Sequence, residues 1–401
     1  MIQLLGIKFN HDPSSAAHDA LNIRRNGADW VNVPEWQRGV SINPEDSPAA
    51  YAIGAIGGNQ ITIQAAFSCT DPGVRSAEIR ARDNTIYGVG PGGCLGWVYS
   101  ILTAIFQAIF GNPLGNVAAL NVDFVNGASG YVTFQLADVT LSTKRVGTHM
   151  TEWRWEFRIG NGPWTAFDVS RHRIYVLLDV PTVPWQQAPY DVGNSHLPWC
   201  DVLDYACSWA AGSGSTDEAA AAVTRSVFNL GPSVVTYDCP GGGASHYSAG
   251  NFSCSAFLER LKGGVGLGIY VNCSDCATFV SSFANILGCD LWQSRMGNYF
   301  DLNAILAIGS SVWQTACNWG SFSYHEVAWT GACDVNDDVY DGCLEVDGDN
   351  DPTAPPHTPL LPTKLRFGNP GDLQYRDRLA APSGRANCNP LVATRVRRQV
   401  V

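Results

Sequence analysis

The stretch Val271-Asn272-Cys273-Ser274-Asp275-Cys276-Ala277-Thr278-Phe279 decides how the second half of this chain is expected to fold. Apolar residues recur at helical spacing from here, and they predict a helix that begins near Ser274 and Asp275 and ends at Gly288. Cys276 then lies in the first turn, where free amide groups and the helix dipole favour a thiolate. The same amides can hold a developing oxyanion. The sequence therefore predicts Cys276 as a nucleophile.

A thiolate nucleophile needs a base, and that base needs an orienting group. His325 lies in a strand-patterned segment, and Asp341 lies in the next such segment. Adjacent antiparallel strands can place two such residues side by side, so that Asp341 accepts from one imidazole nitrogen while the other faces Cys276. Asp338 and Asp347 are rivals of Asp341, which is preferred because it follows an apolar-aromatic pair.

A helix-starting cysteine, a strand histidine and an aspartate in the next strand, in that order, resemble the transglutaminase-like superfamily. The matching segments are 272–277, 324–327 and 339–341, and a capped helix from Ser215 to Leu230 precedes them as it does in that superfamily. The resemblance covers about residues 197–365, under half of the chain. It implies a papain-like α+β core that hydrolyses or transfers acyl groups at amide bonds through a thioester.

The same resemblance implies a Cys276–His325–Asp341 catalytic triad of nucleophile, base and orienting group. Members of the superfamily use an aromatic side chain in the oxyanion hole, and Tyr270 and Tyr247 are the candidates here. The expected activity is that of a cysteine hydrolase or acyltransferase on protein or peptide substrates. Protease-like hydrolysis is preferred because solitary members of the superfamily are more often hydrolases.

Two alternatives stay open at this point. The first is a protein-glutamine transglutaminase that cross-links to amines, since a chain with only four lysines would spare itself from modification. The second is a catalytically silent structural or binding protein. It would self-associate or join an assembly through an N-terminal β-sandwich and the apolar segment 95–110.

No cofactor and no metal are predicted. Cys273 and Cys276 have the spacing of a zinc or redox half-site, but no second pair with that spacing follows. The acidic loops 334–338 and 347–351 resemble calcium loops without the bidentate glutamate that such loops place last.

The chain is expected to be a multidomain protein. Residues 1–55 are predicted as an extended N-terminal arm, and 56–185 as an immunoglobulin-like β-sandwich of alternating strands. Residues 190–370 are predicted as the transglutaminase-like α+β domain, and 371–401 as a polar C-terminal tail.

The composition of the chain limits the classes of molecule that it is expected to bind. The 401 residues include 25 Lys and Arg against 36 Asp and Glu, which gives a net charge of -11 and argues against nucleic acid or anionic membrane as a partner. The apolar segment 95–110 is too short for a membrane span. No signal peptide is recognised, so we expect a cytoplasmic protein with reduced thiols among its 13 cysteines, with secretion by a signal-independent route left open.

Overall fold

A computed structural model of the chain describes residues 1–25, 31–41, 43–85, 112–138, 141, 143–185, 196–360 and 364–401. Within these residues the protein has a mixed α/β structure with several sheets and few helices. It divides into two compact units, the first built mainly from Met1–Val180 and the second mainly from Asp201–Val401. The apolar segment 95–110, predicted as a contact surface, lies outside the described residues.

The helices are short, and no helix in the described part of the chain is long and apolar enough to cross a membrane. Their bounds are α1 (Ile53–Ile56), α2 (Cys200–Trp209), α3 (Thr216–Phe228), α4 (Cys254–Leu261), α5 (Cys273–Asn285) and α6 (Tyr375–Leu379).

The strands of the first unit are β1 (Ile2–Lys8), β2 (Trp36–Gln37), β3 (Ala49–Ala52), β4 (Thr62–Cys69), β5 (Ser76–Asp83), β6 (Val117–Asp123), β7 (Ala128–Gln135), β8 (Gly147–Arg158) and β9 (Thr165–Leu177). The strands of the second unit are β10 (Thr236–Tyr237), β11 (Tyr270–Val271), β12 (Trp292–Met296), β13 (Phe300–Asp301), β14 (Leu306–Ala307), β15 (Ser321–Phe322), β16 (His325–Trp329), β17 (Asp338–Tyr340), β18 (Leu344–Glu345), β19 (Leu365–Arg366) and β20 (Pro390–Val396).

The first unit is built from two sheets that share one apolar core. One sheet has the order β2-β1-β4-β7 and the other the order β3-β9-β8-β5-β6. Phe67 and Phe134 of the first sheet meet Trp155 of the second, with ring centroids 5.5 and 6.0 Å apart. The immunoglobulin-like identity predicted for this region is not confirmed. β3 pairs with β9 in parallel, whereas the remaining strand pairs described in this unit are antiparallel.

The N-terminal segment is part of this core and does not form the predicted arm. β1 pairs with β4, and β3 pairs with β9, so residues 1–55 supply strands to both sheets. These strands were not predicted because their apolar residues form only short patterns within a segment that is polar when residues 1–55 are taken together. Ile2, Leu4 and Ile7 are buried on β1, and all four residues of β3 are buried.

The second unit combines helices with an antiparallel sheet, ordered β19-β17-β16-β12-β20. Helix α5 packs against β16 and β12, and every one of its residues is buried. The short strands β10 and β11 pair in parallel, and β11 leads directly into the start of α5. The unit therefore surrounds α5 on several sides and fixes its first turn.

The C-terminal segment also belongs to the fold and does not form the predicted tail. Residues 371–401 supply α6 and β20, and β20 pairs with β12 at the sheet edge. Arg398 is buried, and its guanidinium bonds the Glu326 carboxylate and, at 3.1 Å, the Gln293 side chain. A run of arginines suggests solvent exposure, but here a buried carboxylate neutralises one of them.

Candidate active site

Helix α5 begins at Cys273, one residue earlier than the sequence predicts. Asn272 is its N-cap: Asn272 Oδ1 accepts from the Asp275 amide at 3.0 Å, and the Asp275 carboxylate accepts from the Asn272 amide at 3.1 Å. Cys273 is therefore the first helical residue, where amides lack an intrahelical acceptor. The amide of Cys276 already donates to the Asn272 carbonyl at 3.1 Å, so it is not free to hold an oxyanion.

Asp275 ties the loop of residues 245–248, which precedes α5 in the chain, to this first turn. Its Oδ1 accepts from the Ser245 hydroxyl, the Tyr247 amide and the Ser248 hydroxyl, each at 2.8 Å. Its Oδ2 accepts from the His246 amide at 2.9 Å. This carboxylate is completely buried, and the four bonds satisfy it while they fix residues 245–248 against the start of α5.

His325 is completely buried, and it interacts with one carboxylate and one thiol. Its Nε2 lies 2.9 Å from Asp341 Oδ2, while its Nδ1 makes no hydrogen bond of ordinary length. Burial alone would lower the pKa of His325, but Asp341 and the thiol of Cys273 together raise it to about 10. The imidazole is therefore held in its charged form, with one nitrogen left for the thiol.

Cys273, and not Cys276 as predicted, is the thiol that contributes to the raised pKa of His325. The thiol of Cys276 instead interacts with that of Cys343, and its pKa is raised above the ordinary value because the group is buried. Cys276 lies one turn into α5, where only 1% of its surface is exposed. A thiol that burial keeps protonated, and whose amide is already bonded, lacks both features that made Cys276 the sequence candidate.

Asp341 lies immediately after β17, the strand that pairs with β16, so it is next to His325 as predicted. Its Oδ1 accepts from the amides of Cys343 at 2.8 Å and Leu344 at 3.0 Å. Its Oδ2 also accepts from the Tyr375 hydroxyl at 2.6 Å. These bonds hold the carboxylate in place beside the imidazole.

The two rival aspartates are occupied elsewhere. Asp338 pairs with the Lys364 ammonium at 3.2 Å. Asp347 Oδ2 lies 2.6 Å from His357 Nδ1. Neither of them bonds His325, so the structure favours Asp341 as its partner.

Tyr247, one predicted oxyanion candidate, is a core residue. Its hydroxyl donates to the Gly268 carbonyl at 2.7 Å and accepts from the Leu267 amide at 3.2 Å. Its ring packs against Phe257 and Phe279. The hydroxyl is therefore bonded to the backbone of residues 267 and 268.

Tyr270, the other candidate, lies on β11, and its ring is near that of His246. A residue on the paired strand β10 matters more. Tyr237 on β10 pairs with Val271, one residue before the Asn272 cap. Burial and then the nearby Cys273 raise the pKa of Tyr237 above its ordinary value, so its hydroxyl stays protonated and able to donate. Tyr237 was not among the candidate site residues predicted from the sequence, and it lies on a strand of only two residues.

Aromatic rings cover this cluster. Phe322 stacks on His325 with centroids 5.6 Å apart and planes 18° apart. Trp319 packs edge-on against Tyr237 at 6.1 Å and is 39% exposed. Cys273 is itself only 5% exposed to solvent.

One disulfide joins the segments that carry Tyr237 and Trp319. Cys239 bonds Cys317, which corrects the expectation of reduced thiols for these two cysteines. Among the described residues, no group of three His, Cys, Asp or Glu side chains is placed to hold a metal ion. In the acidic loop 334–338, carboxylates of Asp334 and Asp337 accept from backbone amides of that same loop.

Comparison with known proteins adds little to this geometry. No protein-family model matches the chain. No curated protein matches it either. Among the solved structures that do match is a transglutaminase of red sea bream, at 11% identity and a TM-score of 0.36. The match covers 71% of this chain and 48% of the sea bream chain, so it spans about half the length of that protein.

Proposed function

We propose that this protein is a cysteine-dependent hydrolase or acyltransferase that acts at amide bonds of protein or peptide substrates, with Cys273 as its nucleophile. One observation carries the proposal. His325 Nε2 lies 2.9 Å from Asp341 Oδ2, and the thiol at the first residue of α5 contributes with that carboxylate to the raised pKa of the imidazole. A charged imidazole beside a thiol at a helix N-terminus is the arrangement that stabilises a thiolate.

The reaction follows from these groups. The Cys273 thiolate attacks the amide carbonyl carbon, and the Tyr237 hydroxyl donates to the oxygen as negative charge develops. The C–N bond breaks, His325 gives its proton to the leaving amine, and a thioester remains. Water then attacks the thioester while His325 accepts its proton, which releases a carboxylic acid and regenerates the thiolate. Asp341 orients the imidazole and stabilises its charge throughout.

Iodoacetamide labelling across pH, read by peptide mass spectrometry, tests this assignment. We expect Cys273 to label faster than the other thiols at pH 6, and His325→Ala to abolish that advantage. The matched control is Cys276→Ala, which removes the neighbouring thiol on the same helix and should leave Cys273 labelling intact. Labelling of Cys276 in preference to Cys273, or equal rates for all thiols, would refute the proposed nucleophile.

The molecule that attacks the thioester, the acyl acceptor, decides which of two reactions the protein performs. Water gives hydrolysis, and a primary amine gives cross-linking. Product analysis with a peptide substrate and a dansylated alkylamine separates them, because incorporation of the dansyl group requires the amine to attack the thioester. We expect hydrolysis to dominate, and incorporation that exceeds acid release would reverse this order.

A catalytically silent binding protein is the second candidate, and the burial of the cluster favours it. His325 is fully covered, and Cys273 is almost so. The labelling experiment separates the two candidates. A Cys273 that stays inert to iodoacetamide throughout the pH range in the folded protein supports the binding protein, whereas rapid labelling at pH 6 supports the enzyme.

A further inference from the structure

A small cavity in the second unit shares one residue with the proposed site. It has a volume of about 210 Å³ and is lined by Tyr237 together with the segment 305–317 and the disulfide of Cys239 and Cys317. Pockets that enclose a whole small-molecule ligand usually measure roughly 300–1,000 Å³. The size therefore suits a single side chain of a longer substrate.

Backbone hydrogen bonds make the wall of this cavity continuous with the site. The Tyr237 amide donates to the Ile308 carbonyl at 3.0 Å, and the Ile308 amide donates to the Cys343 carbonyl at 2.8 Å. The Cys343 amide in turn bonds Asp341. Ile308, which lines the cavity, thus links the strand of Tyr237 to the turn that holds the Asp341 carboxylate. The cavity and the proposed catalytic site therefore keep a fixed separation.

The lining selects a class of side chain. Ile305, Ala307, Ile308 and Val312 supply apolar surface, and the described lining residues include no charged side chain. Thr236, Ser310 and Gln314 are uncharged polar groups that also line it. A buried charge without a partner is costly, whereas an aliphatic group gains by leaving water. The cavity therefore favours an aliphatic side chain over an acidic or basic one.

We infer that this cavity is a specificity subsite that takes an aliphatic side chain of the acyl residue of the substrate. The inference rests on the proposed function. Tyr237 would hold the carbonyl oxygen of the acyl residue, while the amine leaves toward His325. A cavity that shares Tyr237 is therefore nearer to the acyl residue than to the leaving group.

The test uses the full-length protein and p-nitrophenyl esters of N-acetyl-leucine, N-acetyl-glycine and N-acetyl-aspartate, with Cys273→Ala as the background. A hydrophobic pocket discriminates by about tenfold or more for even one methylene. We expect kcat/KM for the leucine ester to exceed that of the other two by at least about tenfold. Val312 lines the cavity and is 56% exposed, so Val312→Trp should fill or cover the cavity and bring the leucine-to-glycine ratio close to one.

Val265→Trp is the matched control, because Val265 is an exposed valine of the same unit that does not line the cavity. It should keep the wild-type ratio. A wild-type ratio near one, a preference for aspartate, or an unchanged ratio in Val312→Trp would overturn the subsite while Cys273-dependent turnover stands. Absence of Cys273-dependent release from every ester would overturn the proposed function, and the subsite with it.

Discussion

Two buried histidines, one in each unit, show how strongly the partner of an imidazole decides its charge. His172 lies on β9 in the core of the first unit, with its Nε2 2.8 Å from the Ser170 hydroxyl. Burial lowers the pKa of His172 to about 3. His325 is buried just as completely, yet the Asp341 carboxylate and the Cys273 thiol raise its pKa to about 10.

The surroundings of the two rings are otherwise alike. His172 packs against Phe9 at 4.8 Å and Trp153 at 5.1 Å, and His325 stacks on Phe322 at 5.6 Å. Aromatic packing and burial are common to both, so the Asp341 carboxylate, with a further contribution from the Cys273 thiol, makes the difference in pKa. A buried histidine without an ionic partner is a neutral core residue, and one with such a partner is a charged group suited to acid–base chemistry.

Removal of the carboxylate charge should make His325 behave like His172, and it is the largest effect we expect. In Asp341→Asn the shape is kept, but the pKa of His325 should fall from about 10 to below its ordinary value. Loss of the aspartate from a comparable triad lowers the rate by about 10⁴-fold. We expect the rate of Cys273 labelling by iodoacetamide at pH 6 to fall by about 10²-fold or more, with imidazole NMR titration as the second readout.

Asp338→Asn is the matched control for this change. Asp338 lies on β17, three residues before Asp341, and pairs with Lys364 at the surface. Exposed ion pairs contribute little, so labelling of Cys273 should change by less than about twofold. If Asp341→Asn labels at the wild-type rate, the carboxylate does not set the charge of His325 and the comparison fails.

The pKa of His172 predicts a dependence of stability on pH in the first unit. Its folded pKa of about 3 lies below the ordinary unfolded value, so between those two values the unfolded chain binds a proton that the folded chain does not. Stability from this group is therefore present above about pH 6.5 and is lost as the pH falls toward 3, by about 1.4 kcal/mol per pH unit. Urea denaturation read by hydrogen exchange of β8 and β9 peptides measures it.

His172→Gln supplies the control, because glutamine keeps a polar group near Ser170 but does not titrate. The variant should be less stable at neutral pH, since a packed ring is lost, but its free energy of unfolding should fall less steeply between pH 6 and pH 4. If the free energy of unfolding falls equally steeply with pH in the two proteins, His172 is not neutral in the core. The contrast between His172 and His325 would then be wrong.

The sequence predicted the parts of the site that regular patterns mark. The proximity of His325 and Asp341 was predicted from strand alternation, and in the structure His325 lies on β16 while Asp341 directly follows β17, the strand paired with it. The Ser215 cap of α3 was found because serine at this position accepts from the Glu218 amide, here at 3.2 Å. In each case the deciding contact is local or lies between adjacent strands.

The start of α5 was predicted one residue too late because three good capping residues occur within four positions. Asn272, Ser274 and Asp275 can each begin a helix, and local preference does not separate them. Tertiary contacts decide between them: Asp275 is committed to the loop 245–248, and its second oxygen returns to the Asn272 amide. The helix therefore begins one residue earlier, which makes Cys273 the first helical residue and places Cys276 three residues further along the helix.

Tyr237 and Tyr375 were missed for a related reason. Tyr237 lies on a strand of two residues, too short for a periodic signal. Tyr375 begins a helix of five residues in a segment whose polar composition suggested a solvent-exposed tail. Its importance depends on one bond to Asp341, a residue 34 positions away in the chain. Contacts of this kind arise from the packing of the whole unit.

Tyr375→Phe separates the hydrogen bond from the charge, and its effect should be the smallest. Burial and Asp341 raise the pKa of Tyr375 well above its ordinary value, so its hydroxyl stays protonated and donates to the carboxylate. The variant loses that bond but keeps the charge of Asp341, so His325 should stay protonated at neutral pH.

We expect Tyr375→Phe to lose about 1–3 kcal/mol in the free energy of unfolding. Labelling of Cys273 should slow no more than about tenfold, the equivalent of about 1.4 kcal/mol. Urea denaturation and the labelling rate at pH 6 measure the two effects. A loss as large as that of Asp341→Asn would mean that the position of the carboxylate matters as much as its charge.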